Sequence, residues 1–136
     1  MKYIEWPENE MKGDFIIGIL GNSAIDVELM QLSNNKKIKG KKIVILKFAT
    51  LSEVGNCHLL YISASQTSSI KEINKKFSDN AVLLVGEREG AVYKGAAISF
   101  AVTENDALSF DINKKEINKH KLKISSTLLN LGSPID

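Results

Sequence analysis

The sequence is short of several residue types that mark particular classes of protein. Cys57 is its only cysteine, which excludes a disulfide framework and a multi-cysteine zinc site within these residues. Its only histidines are His58 and His120, too few for a histidine-rich metal centre. Arg88 is the only arginine among 18 basic residues, which excludes an arginine-rich nucleic-acid surface. No apolar run approaches the roughly 20 residues of a membrane-spanning helix. We therefore expect no metal, no nucleic-acid partner and no direct membrane insertion.

What is present fits an ordinary globular domain. The 136 residues are 43% hydrophobic and 25% charged, with a net charge of +2. That composition is typical of a chain that folds around a core rather than of a disordered one. Independent domains cluster near about 100–150 residues, so we treat residues 1–136 as a single domain.

Short apolar runs alternate with helical patterns in the first two-thirds of the chain. The runs lie at 15–20, 43–48, 59–62 and 81–85. Continuous apolar runs of this length are typical of parallel strands buried on both faces. Apolar residues at helical spacing predict helices over 25–32 and 70–77, the second opened by Ser69 and Glu72 as a capping box.

The last third of the chain has a different pattern. Residues 98–102 and 108–112 predict an antiparallel hairpin, because apolar and polar residues alternate in its second arm. Asn113 and Glu116 have the spacing of an N-cap and its third helical residue, and a last helix is predicted over 126–131. The whole pattern predicts an α/β three-layer sandwich. Its sheet is mostly parallel, flavodoxin- or Rossmann-like, with a C-terminal antiparallel hairpin and helices.

The loop after the first strand is one candidate site, because ligands in open α/β sheets bind beyond the carboxyl ends of the strands. It contains Gly21, Asn22 and Ser23, and it matches neither a dinucleotide fingerprint nor a phosphate-binding P-loop. Two interpretations stay open. Asn22 or Ser23 caps the next helix, or the backbone N–H groups at that helix start hold a small anion.

The loop after the fourth strand is the second candidate, with Glu87, Arg88, Glu89 and Gly90 at its centre. Either Arg88 pairs with a neighbouring glutamate and the loop satisfies itself, or the loop contacts a ligand or partner. Trp6 is a third candidate, either as an interface anchor or as a side chain packed on its own sheet.

No catalytic constellation emerges from the residues. Cys57 and His58 are adjacent at the entry to a strand and should point to opposite faces, so they do not form a nucleophile–base pair. We expect Cys57 to be a buried structural thiol and His120 to lie at a solvated helix end. The sequence predicts no enzyme activity, no catalytic residue and no cofactor.

Six segments, in the same order along nearly the whole chain, resemble motifs of the YfiR-like family. Residues 3–7 resemble its F/Y-I-E-W-P opening, residues 57–63 its C-H-I-L-[FY]-I-S strand and residues 122–129 its L-K-I-S-S-K-L-L ending. The other three segments are residues 18–21, 39–43 and 85–100. The departures are Val92, Ala96 and Ser99, which stand where the family usually has Phe, Gly and Asn.

The resemblance implies an exported, non-catalytic regulator in the periplasm. Such a protein binds and restrains a membrane-bound sensor protein, a diguanylate cyclase or a histidine kinase, and forms a homodimer. We expect the helix that usually opens the family, and an export signal, to precede the residues given. The alternative is a sensor for a small ligand, anionic or nucleotide-like, held by the loops after strands one and four. The candidate contact residues are Trp6, Gly21, Asn22, Ser23, Glu87, Arg88, Glu89 and Gly90.

Overall fold

A computed structural model describes most of the chain. The described residues are 4–6, 13–21, 30–31, 34, 37–38, 41–55, 57–77, 81–87, 90–102, 108–120, 122–124 and 133–135. The candidates Asn22, Ser23, Arg88 and Glu89 lie outside these ranges, as do the helix predicted at 126–131 and most of the one predicted at 25–32.

Strands dominate this part of the chain. They are β1 (Ile4–Glu5), β2 (Phe15–Leu20), β3 (Lys37–Ile38), β4 (Lys41–Phe48), β5 (Leu59–Ile62), β6 (Leu83–Gly86), β7 (Ile98–Val102), β8 (Leu108–Asn113), β9 (Lys123–Ile124) and β10 (Ser133–Ile135). Two α-helices are described, α1 (Ile70–Lys76) and α2 (Lys114–Lys119). Three 3₁₀ turns span Leu51–Glu53, Ala64–Ser69 and Ala91–Lys94.

The strands of the described residues form one large sheet and one small one. The large sheet has the order β10-β8-β7-β6-β5-β2-β4-β3, and β1 pairs separately with β9. Strands β4, β2, β5, β6 and β7 are mutually parallel, in the order 2-1-3-4-5 that flavodoxin-like domains share. β7 and β8 pair antiparallel. The predicted parallel sheet and its antiparallel hairpin are therefore confirmed.

Apolar side chains leave both faces of the sheet and are covered on both. On one face Leu60 and Ile62 pack in a cluster with Ile70 and Ile73 of α1. On the other face Phe15, Leu59 and Leu83 belong to a cluster that includes Ile117 of α2. Fully burying one such side chain stabilises a fold by roughly 1.5–3 kcal/mol, so two-sided burial explains why these strands are apolar at nearly every position. The predicted three layers are confirmed.

The two helices begin in different ways. Asn113 caps α2 as predicted, since its side chain accepts a hydrogen bond from the Glu116 N–H at 3.3 Å. The capping box predicted for α1 is wrong. Ser69 ends the 3₁₀ turn Ala64–Ser69, has helical backbone angles and makes no cap hydrogen bond through its side chain. A residue already inside a turn cannot adopt the extended backbone of an N-cap.

His120 also departs from its prediction of a solvated helix end, because it is only 1% exposed. It follows the last turn of α2, and its N–H donates to the Glu116 carbonyl at 3.1 Å. The chain then folds back, with the Leu122 N–H donating to the Ile117 carbonyl at 3.0 Å and both of those side chains buried. Because the chain turns back here, the His120 imidazole lies on the same buried side as the apolar face of α2.

Candidate functional site

The carboxyl ends of β2 and β5 lie side by side at the switch point of the sheet, where connections leave in opposite directions. Flavodoxin-like domains bind ligands at this point. β2 is followed by Gly21, whose N–H donates to the Phe48 carbonyl at 2.9 Å. β5 is followed by Ser63, whose N–H donates to the Leu20 carbonyl at 3.0 Å. Gly21 thus lies at the carboxyl end of β2, where its loop was predicted, and a hydrogen bond joins it to the end of β4.

Gly21 and Ser63 approach so closely that only glycine fits. A Cβ at residue 21 would lie 2.1 Å from the Ser63 Oγ. Ser63 is fully buried, and its Oγ lies 3.2 Å from the Ser65 Oγ. The described residues at the switch point therefore contact one another, and a ligand there would have to bind above them. The anion site involving Asn22 and Ser23 stays a prediction.

Glu87 bridges β5 and β6 through three hydrogen bonds. Its Oε2 accepts from the Tyr61 hydroxyl at 2.9 Å, and its Oε1 accepts from the Ala64 N–H at 3.1 Å. Its own N–H donates to the Ile62 carbonyl at 2.9 Å. Because Ala64 opens a 3₁₀ turn, the carboxylate also faces the positive end of that turn. Glu87, predicted as a contact residue, is thereby fixed at the start of its loop, and its role in contacting a partner stays a prediction.

The far end of the same loop is fixed by Gly90. Its φ of +85° lies in the left-handed region that favours glycine. Its carbonyl accepts a hydrogen bond from the Tyr93 N–H at 3.0 Å, closing the 3₁₀ turn that follows. The loop from Glu87 to Gly90 is therefore held at both ends, and Arg88 and Glu89 are its two central residues.

Trp6 lies at the opposite ends of these strands, beside the residues that open β2 and precede β5. Its Nε1 donates to the His58 carbonyl at 2.9 Å, and its ring meets that of Phe15 edge-on at 5.0 Å between centroids. Phe15 opens β2 and Gly21 follows its end, so Trp6 and the loops lie at opposite ends of the strand, about 20 Å apart at about 3.3 Å per residue. The indole is 5% exposed and belongs to the core. The structure does not join Trp6 to the loops, and this burial does not support its interpretation as an interface anchor.

Cys57 and His58 point to opposite faces of the sheet, as predicted. Cys57 belongs to the cluster under α1, whereas the His58 ring stacks on Phe15 at 4.8 Å and its Nδ1 accepts from the Ile16 N–H at 3.0 Å. Burial raises the pKa of Cys57 to about 12, although a backbone hydrogen bond from Gly18 partly opposes this. The thiol is therefore protonated at neutral pH and is a poor nucleophile.

Neither metal ligands nor a membrane span are found in the described ranges. No group of three or more His, Cys, Asp and Glu side chains there is placed to hold a metal ion. No helix there is long and apolar enough to cross a bilayer.

The sequence could not identify Ser63 and Tyr61 as parts of this edge. Both were visible only as residues within or after a buried strand. The only signal that could have found them was the flavodoxin-like strand order, which places Ser63 beside Gly21 once β2 and β5 are neighbours. A flavodoxin-like sheet was predicted, but the fold class alone does not say which side chains meet.

The fold defines a class, an α/β domain of flavodoxin-like strand order with a tightly packed switch point and a loop fixed at both ends. The chain belongs to the YfiR/HmsC-like family (DUF4154), whose model matches residues 1–133. The resemblance seen in the sequence is thus confirmed. Members of this family are regulators of signalling of the periplasmic type.

Among solved structures, a conserved domain protein from Vibrio cholerae O1 biovar eltor has a similar fold. The TM-score is 0.60 at 15% sequence identity, and the likeness covers 95% of this chain. The chain spans 57% of the length of that protein, and at this identity the likeness shows the fold alone. No curated protein matches the chain.

Proposed function

We propose that this chain is a non-catalytic regulator in the periplasm that binds a membrane-bound signalling protein and restrains it. A diguanylate cyclase or a histidine kinase with a periplasmic sensor region is the partner that fits a regulator of this family. We also propose that the chain works as a homodimer. Family membership supports the regulatory class, and the fixed positions of Glu87 and Gly90 support the proposal that the loop between them makes the contact.

The loop held at both ends is the observation that carries the proposal. Residues whose positions are already fixed lose less conformational entropy on binding, and here the two ends of the loop are fixed. Glu87 and Gly90 fix the ends through hydrogen bonds and a left-handed turn. Arg88 and Glu89 follow Glu87 in the sequence, and we propose them as the contact pair because arginine is a favoured anchor at protein interfaces.

The chemistry of the described residues favours contact over turnover. A general base needs a carboxylate or imidazole that is free to take a proton from a substrate. Both oxygens of Glu87 already accept hydrogen bonds from the fold. The Cys57 thiol is buried, with its pKa raised to about 12, and it faces away from His58.

A charge swap tests the loop without changing composition. Arg88→Glu combined with Glu89→Arg keeps the net charge and reverses the local dipole. The swap is made in the full-length tagged protein, expressed in its native organism, and detergent-solubilised membranes are used for affinity capture. We expect the unaltered protein to retain a membrane signalling protein and the swapped variant to recover about tenfold less, which corresponds to about 1.4 kcal/mol.

The matched control is Asp14→Lys combined with Lys42→Asp. Both residues are exposed. Asp14 directly precedes β2 and Lys42 is the second residue of β4, so both lie at the strand ends opposite to the loop. This variant should recover the partner as well as the unaltered protein does. Equal recovery by the loop variant, or capture of no membrane protein by the unaltered chain, would contradict the proposal.

A further inference from the structure

A shallow groove lies between α1, the 3₁₀ turn Ala91–Lys94 and α2. Its volume is about 490 Å³, and it opens broadly to solvent. The groove does not include the Glu87–Gly90 loop. The turn Ala91–Lys94 follows that loop directly in the crossover from β6 to β7, and the Tyr93 N–H donates to the Gly90 carbonyl. The lining residues that matter are Lys71, Asn74, Lys75, Tyr93, Lys94 and Lys119.

The floor of the groove is fixed by the buried side chain of Asn74. Its Nδ2 donates to the Gly95 carbonyl at 2.8 Å and to the Glu116 Oε2 at 2.5 Å. Its Oδ1 accepts from the Lys119 Nζ at 2.7 Å. One amide thus ties α1, the crossover and α2 together and uses both of its N–H groups. The shape of the groove is built into the fold before anything binds.

The rim of the groove is positive. Lys71 and Lys75 are exposed on one face of α1, four residues apart, where like charges repel each other. Lys94, in the 3₁₀ turn that lines the groove, is exposed as well. Among the described residues, Glu116 is the only acidic one that lines the groove, and it already accepts a hydrogen bond from Asn74. Across the described part of the chain, no carboxylate lies within ion-pair distance of Lys71, Lys75 or Lys94.

An exposed aromatic ring stands beside these lysines. Tyr93 is 74% exposed, an unusual fraction for a large side chain in a chain whose other described aromatic residues are mostly buried. Tyrosine is enriched among the residues that dominate binding energy at protein interfaces. An aromatic platform next to three lysines without acidic partners indicates a ligand that is both anionic and broad.

We propose that this groove binds an acidic, extended segment of another protein. Residues four apart on a helix place their Cβ atoms about 5–6 Å apart, and alternate residues of an extended segment lie about 6.6 Å apart. Acidic residues at alternate positions therefore match the spacing of Lys71 and Lys75. The Tyr93 ring then covers the apolar stem of the segment.

The shape and the donors favour a protein segment over a small anion. Sites that enclose a small phosphate or carboxylate usually surround it with backbone N–H groups or an arginine fork. This groove is open, its cations are lysines on long flexible stems, and none of them is an arginine. The proposal does not depend on which membrane protein the Glu87–Gly90 loop contacts.

Nuclear magnetic resonance titration of the isotopically labelled protein tests the groove directly. The probe is an eight-residue peptide that alternates Glu and Thr, and the comparison peptide alternates Gln and Thr. We expect the acidic peptide to shift the backbone amides of Lys71, Lys75, Tyr93 and Gly95. The dissociation constant should be on the order of 1 mM or tighter in low salt and should weaken as salt screens the charges.

Charge reversal identifies the residues responsible. Lys71→Glu, Lys75→Glu and Lys94→Glu together should weaken binding at least about tenfold. The control reverses three exposed lysines away from the groove, Lys42, Lys47 and Lys123, and gives the same net charge. It should weaken binding less than about threefold. If the triple variant unfolds, Lys71→Gln with Lys75→Gln replaces it, with the same direction of effect expected.

Four outcomes would overturn the proposal. The first is the absence of any shift up to several millimolar acidic peptide. The second is shifts centred outside the groove. The third is equal weakening by the control variant. The fourth is tighter binding of pyrophosphate or of an eight-nucleotide single strand than of the acidic peptide, which would assign the groove to a different ligand.

Discussion

Glu87 holds the loop through both oxygens of its carboxylate. Hydrogen bonds to a charged group contribute about 1.5–3 kcal/mol each when buried, and less where solvent reaches them. Glu87 is partly exposed. We therefore expect Glu87→Ala to lower the free energy of unfolding by about 2 kcal/mol, measured by urea denaturation. Tyr61→Phe removes one of the two described donors to the carboxylate and should lower the free energy of unfolding by about 1 kcal/mol.

Glu72→Ala is the matched control for Glu87→Ala. Glu72 is exposed on α1, and substitutions at such positions usually change stability by less than about 0.5 kcal/mol. A Glu87→Ala variant as stable as this control would show that the carboxylate does not fix the loop. It would contradict the proposal that the ends of the loop are fixed before a partner binds.

Single residues also show what the sequence could and could not predict. The opposite directions of Cys57 and His58 follow from the alternation of side chains along a strand, which is a local property. The burial of His120 is not local. Its neighbours are lysines, and it is carried inward because α2 packs Ile117 on the sheet. The hydrogen bond from Tyr61 to Glu87 joins residues 26 positions apart, beyond the reach of any local pattern.

At the scale of elements, the crossover from β6 to β7 depends on one close contact. A Cβ added to Gly86 would lie 2.3 Å from the Cβ of Ala91, which is fully buried. Overpacking of this kind typically costs about 1–3 kcal/mol. We expect Gly86→Ala to lower the free energy of unfolding by about 2 kcal/mol in urea denaturation.

A double-mutant cycle separates crowding from other causes. Ala91→Gly removes the methyl group that Gly86→Ala would meet, so the double variant should be more stable than the sum of the two single changes implies. The expected coupling is about 1 kcal/mol or more. Additive losses would mean that the two residues do not meet, and the described path of the crossover would be wrong.

The elements and their layered, mostly parallel arrangement were largely predictable, but the contacts between side chains distant in sequence were not. The apolar runs at 15–20 and 59–62 are buried strands, because the sheet is covered on both of its faces at these positions. The Asn113 cap is written in a four-residue pattern. The start of α1 was misread, because the turn Ala64–Ser69 precedes it and no local signal distinguishes a cap from the end of a 3₁₀ turn.

At the scale of the whole molecule, the two ends of the parallel strands differ in what they carry. The amino-terminal edge is closed by Trp6, Phe15 and His58, which pack and hydrogen-bond with one another. The other edge carries the Glu87–Gly90 loop, from which the crossover leads to the lysine groove. The loop and the 3₁₀ turn Ala91–Lys94 are consecutive in the chain, and α1 and α2 supply the rest of the groove.

Site-specific photocrosslinking tests the central proposal most directly. A benzophenone amino acid replaces Glu89 in the full-length protein within its native organism, and the control carries it at Lys42, on the opposite edge. After irradiation, we expect position 89 to give a covalent adduct with one membrane signalling protein, identified by mass spectrometry, and position 42 to give none. The absence of an adduct at position 89, or the same adduct from both positions, would contradict regulation through this loop.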